Sequence, residues 1–148
     1  MGDPARRLEP PGTADLVLKT GGVAVFSIRG YVNTALADDM LRRATRLLDE
    51  QPQIRGFVFD CDALESYTPG APFRGVAWIR QNADRIVATA VVARLGSISA
   101  VVRAAALLVP SVQMLLAENR AEGIAMVARA IGGRPRVSTG PRLRVPGE

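Results

Sequence analysis

Acidic and hydroxyl side chains are concentrated in one segment of the chain, VFDCDALESYTPGA, which spans residues 58 to 71. Asp60 and Asp62 have the spacing of a carboxylate nucleophile and a carboxylate acid or base that act on a phosphate held by Mg²⁺. Ser66 and Thr68 precede a predicted helix, and the N–H groups at a helix start favour an added phosphate. The segment therefore raises two chemical hypotheses, hydrolysis of a phosphate ester and acceptance of a phosphate.

The spacing of Asp60 and Asp62 resembles the opening motif of haloacid dehalogenase-type phosphatases, in which a strand delivers both carboxylates. The Gly-Thr pair that usually follows the second aspartate is replaced by Ala63-Leu64. The only lysine, Lys19, lies upstream of the motif, and no later acidic pair is present for the metal. A more ordinary interpretation is that the two acids solvate the end of a strand, and we prefer it.

Helix capping is the alternative to phosphorylation for the hydroxyl residues. Thr68 as N-cap, followed by Pro69 in the first turn, is an ordinary helix start, because the missing N–H of proline is not needed there. The sequence favours capping, and phosphorylation of Thr68 or Ser66 is the second interpretation. Ser97 or Ser99 is predicted to cap the third helix, and that helix start is a candidate anion site.

Composition removes several kinds of active site. The chain has no histidine and one cysteine, Cys61. A Ser-His-Asp or Cys-His arrangement, an intrachain disulfide and a thiolate zinc cluster therefore cannot be formed. We predict that the protein uses no metal and no cofactor and is not an enzyme.

The distribution of charge argues against a nucleic-acid partner. Of the net charge of +5, residues 132–148 contribute +3, whereas residues 15–131 carry thirteen basic and eleven acidic side chains. A folded nucleic-acid-binding domain usually carries its basic stripe on the fold.

The longest charge-free stretch, residues 104–117, is shorter than the ~20 apolar residues of a membrane span. No secretory signal opens the chain, so we expect a cytoplasmic protein.

Apolar runs and turn residues predict the elements that position these groups. DLVLKT and VAVFSIRG predict antiparallel strands joined by Gly21-Gly22, because glycines allow the positive φ of a tight turn. A helix follows, capped by Asn33 or Thr34. Its buried side is formed by Leu36, Met40, Ala44 and Leu47. IRGFVFDC predicts a strand covered on both faces, because its apolar run does not alternate.

Further helices and strands complete the predicted fold. The buried side of the second helix is formed by Phe73, Val76, Ile79, Ala83 and Ile86. VATAVVARL and VQMLLAE predict strands on either side of a helix over AVVRAAALLV, and Asn119 with Glu122 caps a fourth helix. The order β-β-α-β-α-β-α-β-α implies right-handed crossovers after one antiparallel pair. The fold class is α/β, a single mixed five-stranded sheet with helices packed against it.

The predicted domain covers residues 15–131. It lies between a flexible N-terminal segment, residues 1–14, and a basic, disordered tail, residues 132–148, both rich in proline and glycine. The third helix is apolar nearly all round, so both of its sides must be covered, by the rest of the chain or by a second copy in a homodimer. Burial within one chain is the interpretation that we favour.

This order of elements resembles the STAS domain of anti-sigma factor antagonists, of the cytoplasmic tails of sulfate transporters and of SEC14-like bacterial proteins. The resemblance lies in VFDCDALESYTPGA, VVARLGSISAVVRAAA and AENRAEGIAMVARAI. In phosphorylated STAS proteins the third strand is followed by an Asp-Ser-Ser-Gly loop, whose serine accepts phosphate from a partner kinase. Here Thr68 takes the place of the aspartate and Gly70 that of the serine, so the sequence departs from the pattern at the acceptor.

Trp78 is the most informative candidate for partner binding. On a helical wheel it lies opposite the buried side of the second helix, with Arg74 and Arg85 beside it. An exposed indole flanked by arginines has the composition of a binding hot spot. The alternatives are that a terminus covers Trp78 or that it stacks on Arg74. With Asp62 and the loop at residues 66–71, these residues form the predicted partner site.

Three functional hypotheses follow from the sequence. The first is a non-catalytic STAS-like signalling module that binds a protein partner, a regulator or a kinase-like protein, and is modulated by phosphorylation or an anion. The second, suggested by the SEC14-like resemblance, is a carrier of a small apolar ligand or lipid, with a pocket beside the small side chains of RAAALL. The third is the phosphatase.

Overall fold

The computed structural model describes residues 10–133, and these residues form a mixed sheet with helices on both faces. The strands are β1 (Thr13–Lys19), β2 (Val23–Val32), β3 (Gly56–Tyr67), β4 (Ala88–Ala93) and β5 (Gln113–Ala117). The helices are α1 (Thr34–Glu50), α2 (Ala71–Gln81), α3 (Gly96–Leu108) and α4 (Arg120–Gly133). The predicted order of elements and the predicted fold class are confirmed.

The strand order β1-β2-β3-β4-β5 follows the chain. β1 pairs antiparallel with β2, and each later strand pairs parallel with the one before it. The turn between β1 and β2 contains Gly21 and Gly22 at φ +81° and +82°, a left-handed conformation that L side chains rarely adopt. The predicted glycine turn is therefore confirmed.

Two apolar cores lie on opposite faces of the sheet. α1, α2 and α3 pack on one face, because each connects neighbouring parallel strands by a crossover of the same hand. α4 packs on the other face, around the fully buried Val127. β3 lies between these layers, and Phe57 and Val58, which point to opposite faces, are both 0% exposed. The prediction of a strand covered on both sides is confirmed.

Local sequence signals place α1 as expected. The Asn33 side-chain oxygen accepts a hydrogen bond from the Leu36 N–H at 2.8 Å, which satisfies one of the unpaired donors at the helix start. Met40, Ala44 and Leu47 are buried along one side of the helix. Asp39 lies four residues before Arg43 and pairs with it at 3.0 Å, the favoured order for such a pair on a helix.

β3 is longer than its apolar run predicts. It continues through Asp60, Asp62 and Ser66 to Tyr67. Its pairing with β4 ends at Cys61, and beyond that point it pairs with β2 alone, through two register shifts. Polar residues are tolerated in this extension because only one neighbouring strand covers it. The acids and Ser66 therefore lie within a strand, not after it.

The predicted sides of α2 and α3 need correction. Phe73, placed on the buried side of α2, is 59% exposed, and Ile86 is buried but lies beyond the end of the helix. α3 was expected to be covered all round within one chain. In the described part of the chain its outer side is open, with Leu107 84% and Leu108 59% exposed.

The predicted domain, residues 15–131, lies within the described residues, and its boundaries stay a prediction. β1 begins at Thr13, inside the segment predicted to be a flexible lead-in, and α4 extends to Gly133. The rest of the predicted lead-in and tail, residues 1–9 and 134–148, lies outside the described residues. No helix between residues 10 and 133 is long and apolar enough to span a bilayer.

Candidate protein-docking surface

The loop at residues 68–70 lies at the carboxyl edge of the parallel strands, where β3 leads into α2. In a parallel α/β sheet this edge also carries the starts of the helices that follow each strand, and ligands commonly bind there. Pro69 and Gly70 are exposed at the tip of the loop. The fold thus exposes the tip of this loop at the carboxyl edge of the sheet.

Thr68 does not cap α2. Its hydroxyl is 2.9 Å from the Tyr31 hydroxyl, and its N–H donates to the carbonyl of Val32, so it ties the loop to the end of β2. Gly70 occupies the N-cap position with no side-chain cap. The predicted Thr68–Pro69 cap is therefore wrong, because the hydroxyl that would cap the helix is engaged with Tyr31.

The start of α2 offers few donors to an anion. The Ala71 N–H donates to the Thr68 carbonyl at 2.8 Å, and Pro72 has no N–H. The Arg74 N–H donates to the Gly70 carbonyl. A phosphate on Thr68 would find the N–H of Phe73 as the remaining donor of the first turn. Ser66, the second predicted acceptor, is half-buried in β3 opposite Tyr31.

Ser97 and Ser99 also do not cap their helix. α3 begins at Gly96 after Leu95, without a side-chain cap, and both serines lie within its first turn. The Ser97 hydroxyl accepts a hydrogen bond from the Tyr67 hydroxyl at 2.5 Å. That contact joins the last residue of β3 to the start of α3, so Ser97 has a structural role at this edge. The anion site proposed for Ser97 and Ser99 stays a prediction.

Trp78 is a core residue, which corrects the expectation of an exposed hot spot. It is 6% exposed, and its ring meets the Phe57 ring edge to face at 5.4 Å between centroids. Its indole N–H donates to the Thr45 hydroxyl oxygen at 2.8 Å. The helical wheel allowed one buried side, but α2 packs against the sheet and against α1, so two of its sides are buried.

Arg74 and Arg85 form ion pairs with α1. Arg74 pairs with Asp38 at 2.9 Å near the start of both helices, and Arg85, in the turn that follows α2, pairs with Asp49 at 2.7 Å near the end of α1. These partly exposed pairs each contribute little to stability. Their positions show that Arg74 adjoins the loop at 68–70, whereas Arg85 lies beyond the far end of α2. A partner that contacts the loop would reach Arg74 first.

Asp60 is held in a structural contact that the sequence did not reveal. One carboxylate oxygen accepts from the Arg120 Nε at 2.9 Å and the other from the Asp62 N–H at 3.1 Å. Arg120, at the start of α4, also donates to the Ser27 hydroxyl. Asp62 is exposed, and its carbonyl accepts from Arg94. The Asp60 carboxylate therefore joins the start of α4 to the sheet through Arg120.

Neither the acids nor the cysteine forms a reactive cluster in the described structure. Between residues 10 and 133 there is no group of three or more acidic or cysteine side chains that could hold a metal ion. Burial, and secondly the negative charge of Asp60, raise the pKa of the Cys61 thiol to about 12. The thiol is therefore protonated at neutral pH, and it is a poor nucleophile in that form.

Phe73 is the exposed aromatic that the sequence placed in the core. It lies in the first turn of α2, and Ala77 and Arg80 follow on the same side at helical spacing, both exposed. Together with Pro69 and Gly70 these residues form what we call the α2 surface. Helical periodicity missed Phe73 because it does not show that the first turn of α2 lies at the sheet edge, where the core ends.

An apolar cavity lies behind the α2 surface. It has a volume of about 140 Å³ and is bordered by the sheet and by α1, α2 and α3. Of the alanines in RAAALL, Ala105 lines it, whereas Ala104 and Ala106 are exposed. The second sequence hypothesis required a pocket of this kind beside α3.

The chain has the SpoIIAA-like, or STAS, fold, which confirms the predicted resemblance at the level of the fold. An uncharacterised protein from Shewanella loihica PV-4, described as having a SpoIIAA-like fold, aligns with a TM-score of 0.60 at 11% identity, over 79% of this chain and 93% of that one. The anti-sigma factor antagonist SpoIIAA in its unphosphorylated form aligns with a TM-score of 0.59 at 10% identity, over 79% and 98% of the two chains.

A further neighbour is an anti-sigma factor antagonist from Mycobacterium paratuberculosis, with a TM-score of 0.54 at 14% identity, over 81% of this chain and 98% of that one. At such identities the likeness defines the fold alone. The sequence significantly matches no protein-family model and no curated protein.

Proposed function

We propose that the protein is a regulatory module that binds a partner protein through the α2 surface and catalyses no reaction of its own. The observation that carries this proposal is Phe73, a large aromatic side chain that is 59% exposed at the sheet edge. Exposed aromatic side chains with arginine beside them are enriched at the energetic centres of protein interfaces. Arg74 and Arg80 provide that neighbourhood on α2.

The α2 surface is held in place before any partner arrives. The Trp78–Thr45 hydrogen bond and the Arg74–Asp38 ion pair fix α2 on α1, and the Thr68 contact with Tyr31 fixes the loop on β2. A preorganised surface loses less conformational entropy on binding, which favours affinity. This rigidity supports a docking role for the exposed side of α2.

The neighbours in fold support the same class of function. SpoIIAA and the Mycobacterium paratuberculosis protein are anti-sigma factor antagonists, and both are aligned over 98% of their length. By analogy, a partner of this chain would be a protein regulator or a kinase-like protein. The analogy supports protein binding as the class of function. A fold by itself does not define a function, so the α2 surface carries the proposal.

Phosphorylation of Thr68 is the proposed means of regulation. A phosphate there would replace the Thr68–Tyr31 hydroxyl contact and would add negative charge beside the α2 surface. Mass spectrometry of the protein after incubation with ATP and a lysate of its source organism would locate the modification. An unmodified peptide covering residues 66–71 would refute regulation by this route and leave partner binding untouched.

The docking proposal is tested by replacing Phe73. The immobilised full chain is incubated with a lysate of the source organism, and bound proteins are compared among the wild type, Phe73→Ser and the control Leu18→Ser. Leu18 is 46% exposed on β1, so its replacement removes an exposed apolar side chain that belongs to neither the α2 surface nor α3.

The expected result is a protein that Leu18→Ser retains and Phe73→Ser loses. With that protein purified, Phe73→Ser should raise Kd by about tenfold or more, as loss of a hot-spot side chain does. Equal loss with both variants, or a partner indifferent to Phe73, would refute docking through the α2 surface.

A homodimer through α3 is a separate proposal. Leu107 and Leu108 form an open apolar side of α3 among residues 10–133, as a self-association surface would require. Sedimentation velocity of the full chain over a range of concentrations measures this directly. A dimer that Leu107→Ser dissociates supports it, and a monomer at the highest concentration refutes it.

The carrier hypothesis has one observation in its favour, the apolar cavity beside α3. Its volume of about 140 Å³ is close to the ~150 Å³ of a cavity that binds benzene. A whole phospholipid is many times larger than benzene. The cavity as it stands therefore suits a small apolar ligand and does not suit a lipid cargo.

A further inference from the structure

We propose that the cavity bordered by the sheet, α1, α2 and α3 binds a small uncharged apolar molecule, about the size of one aromatic ring. We further propose that binding of this molecule repositions the α2 surface. The first half of the proposal concerns the cavity alone. The second half rests on the proposed docking function, because it makes the ligand a regulator of that surface.

Small residues create the cavity. α1 contributes Ala37, α2 contributes Ala71 and Gly75, and α3 contributes Ala105 at positions that face it. Protein interiors are normally packed to near-crystalline density, with few voids larger than a water molecule. A Cβ added at Gly75 would find no heavy atom within 4 Å, so the backbone itself would accept a larger side chain there. The cavity therefore exists because these positions carry small side chains, although the backbone leaves room for larger ones.

The lining defines the chemistry of the ligand. No charged side chain borders the cavity, and its walls are formed almost entirely by aliphatic and aromatic groups. The Tyr67 hydroxyl, on one lining residue, is already bonded to Ser97. A charged or strongly polar molecule would lose its hydration here without gaining partners, which is costly. An uncharged hydrocarbon group loses nothing comparable, and a benzene-sized one fits the volume.

The cavity opens to solvent between α2 and α3. Pro72, Gly75 and Val76 on α2 and Val101 on α3 line it and are half-exposed. In the described part of the chain, no hydrogen bond or ion pair joins α2 to α3, whereas α2 is bonded to α1 by Trp78 and Arg74. The α2–α3 side is held by apolar contacts alone, and those contacts can adjust when a ligand enters.

Ligand entry would therefore act on α2 at its first two turns. Gly75 and Val76 face the cavity, while Phe73 and Ala77, their neighbours in sequence, belong to the α2 surface. A ligand that fills the cavity moves or stiffens this segment, and the exposed side of the same turns moves with it. A partner that contacts Phe73 would then distinguish the filled protein from the empty one.

Toluene is a suitable probe, and methyl NMR of the full-length chain is a direct measurement. We expect saturable shifts of the Val76, Ile79, Ile98 and Val102 methyl signals below the solubility limit of toluene. Gly75→Leu, which places a side chain beside the cavity, should abolish saturable binding. Ala104→Leu places the same side chain on the exposed side of α3 and should bind as the wild type does. Ala105→Val is a second filling variant, should Gly75→Leu fail to fold.

Each half of the proposal has results that would overturn it. An absence of saturable methyl shifts in the wild type, or equal binding by a folded filling variant, refutes the ligand site. Backbone amide signals of Gly70, Phe73 and Ala77 that stay in place at saturation refute the coupling to the α2 surface. No partner protein enters these measurements, so a failed titration is distinct from a failed partner capture.

Discussion

Replacement of Trp78 distinguishes a core indole from an exposed one. The indole is 6% exposed and lies between α2, α1 and the sheet. An aromatic side chain buries ~150–250 Å², which corresponds to ~4–6 kcal/mol at 25 cal/mol per Å². Truncations of buried aromatics cost ~3–5 kcal/mol. We therefore expect Trp78→Ala to lower the free energy of unfolding by ~3–5 kcal/mol.

The hydrogen bond to Thr45 adds a contribution that can be measured separately. Trp78→Phe keeps an aromatic ring beside Phe57 but removes the indole N–H, at an expected cost of ~1–2 kcal/mol. Thr45→Val leaves that N–H buried without its acceptor, at a cost of ~1–3 kcal/mol. If the bond is as described, the double variant should cost less than the sum of the two, with a coupling of ~1 kcal/mol.

Urea unfolding followed by circular dichroism measures the wild type and these four variants without relying on tryptophan. Phe73→Ala is the matched control, because it removes an exposed aromatic from the same helix and should change stability by ~0.5 kcal/mol or less. If Trp78→Ala behaves like that control, the indole is not packed as described, and the helical-wheel expectation of an exposed Trp78 was right. If Trp78→Ala does not fold, Trp78→Phe and Thr45→Val still decide the question.

Two further predictions concern polar atoms inside the core. The Thr89 hydroxyl, at 0% exposure, has no hydrogen-bond partner in residues 10–133, so Thr89→Val should raise the free energy of unfolding by ~1 kcal/mol. A lower urea midpoint for Thr89→Val would show that the hydroxyl is in fact bonded. The pKa of Cys61 is raised from 9.0 to about 12 on folding, by burial first and then by Asp60. Between these pH values the unfolded thiol ionises and the folded one does not, so its contribution is present below pH 9 and is lost as the pH rises towards 12. Stability should fall with a slope of up to ~1.4 kcal/mol per pH unit from this group. Cys61→Ala should show a shallower decline over that range, and identical slopes would contradict the assignment.

Local signals were sufficient where the structure depends on a few adjacent residues. The cap at Asn33 and the turn at Gly21-Gly22 were predicted correctly, because each depends on one side chain or one backbone conformation. The central position of β3 was also predicted, because an apolar run without alternation needs cover on both faces. These features determined the order of the elements and hence the fold.

The candidate site was harder to predict because it depends on how elements meet. Trp78 looked exposed because a helical wheel does not show that α1 lies beside α2. Phe73 looked buried because its spacing matches Val76, although it lies in the first turn, at the edge of the sheet. Asp60 looked like a strand-end acid because Arg120, its partner, lies sixty residues further along the chain. The errors at Trp78 and Asp60 came from contacts between residues distant in sequence, and the error at Phe73 came from the position of its helix at the edge of the sheet.

Trp78 is the only tryptophan in the chain, and it lies at the joint between the two helices. Its indole is bonded to α1, its ring rests on the sheet, and the helix that carries it borders both the cavity and the α2 surface. The emission of an indole responds to its hydrogen bond and to the polarity around it. Displacement of α2 can therefore be followed by intrinsic fluorescence, without a dye, in the unmodified protein.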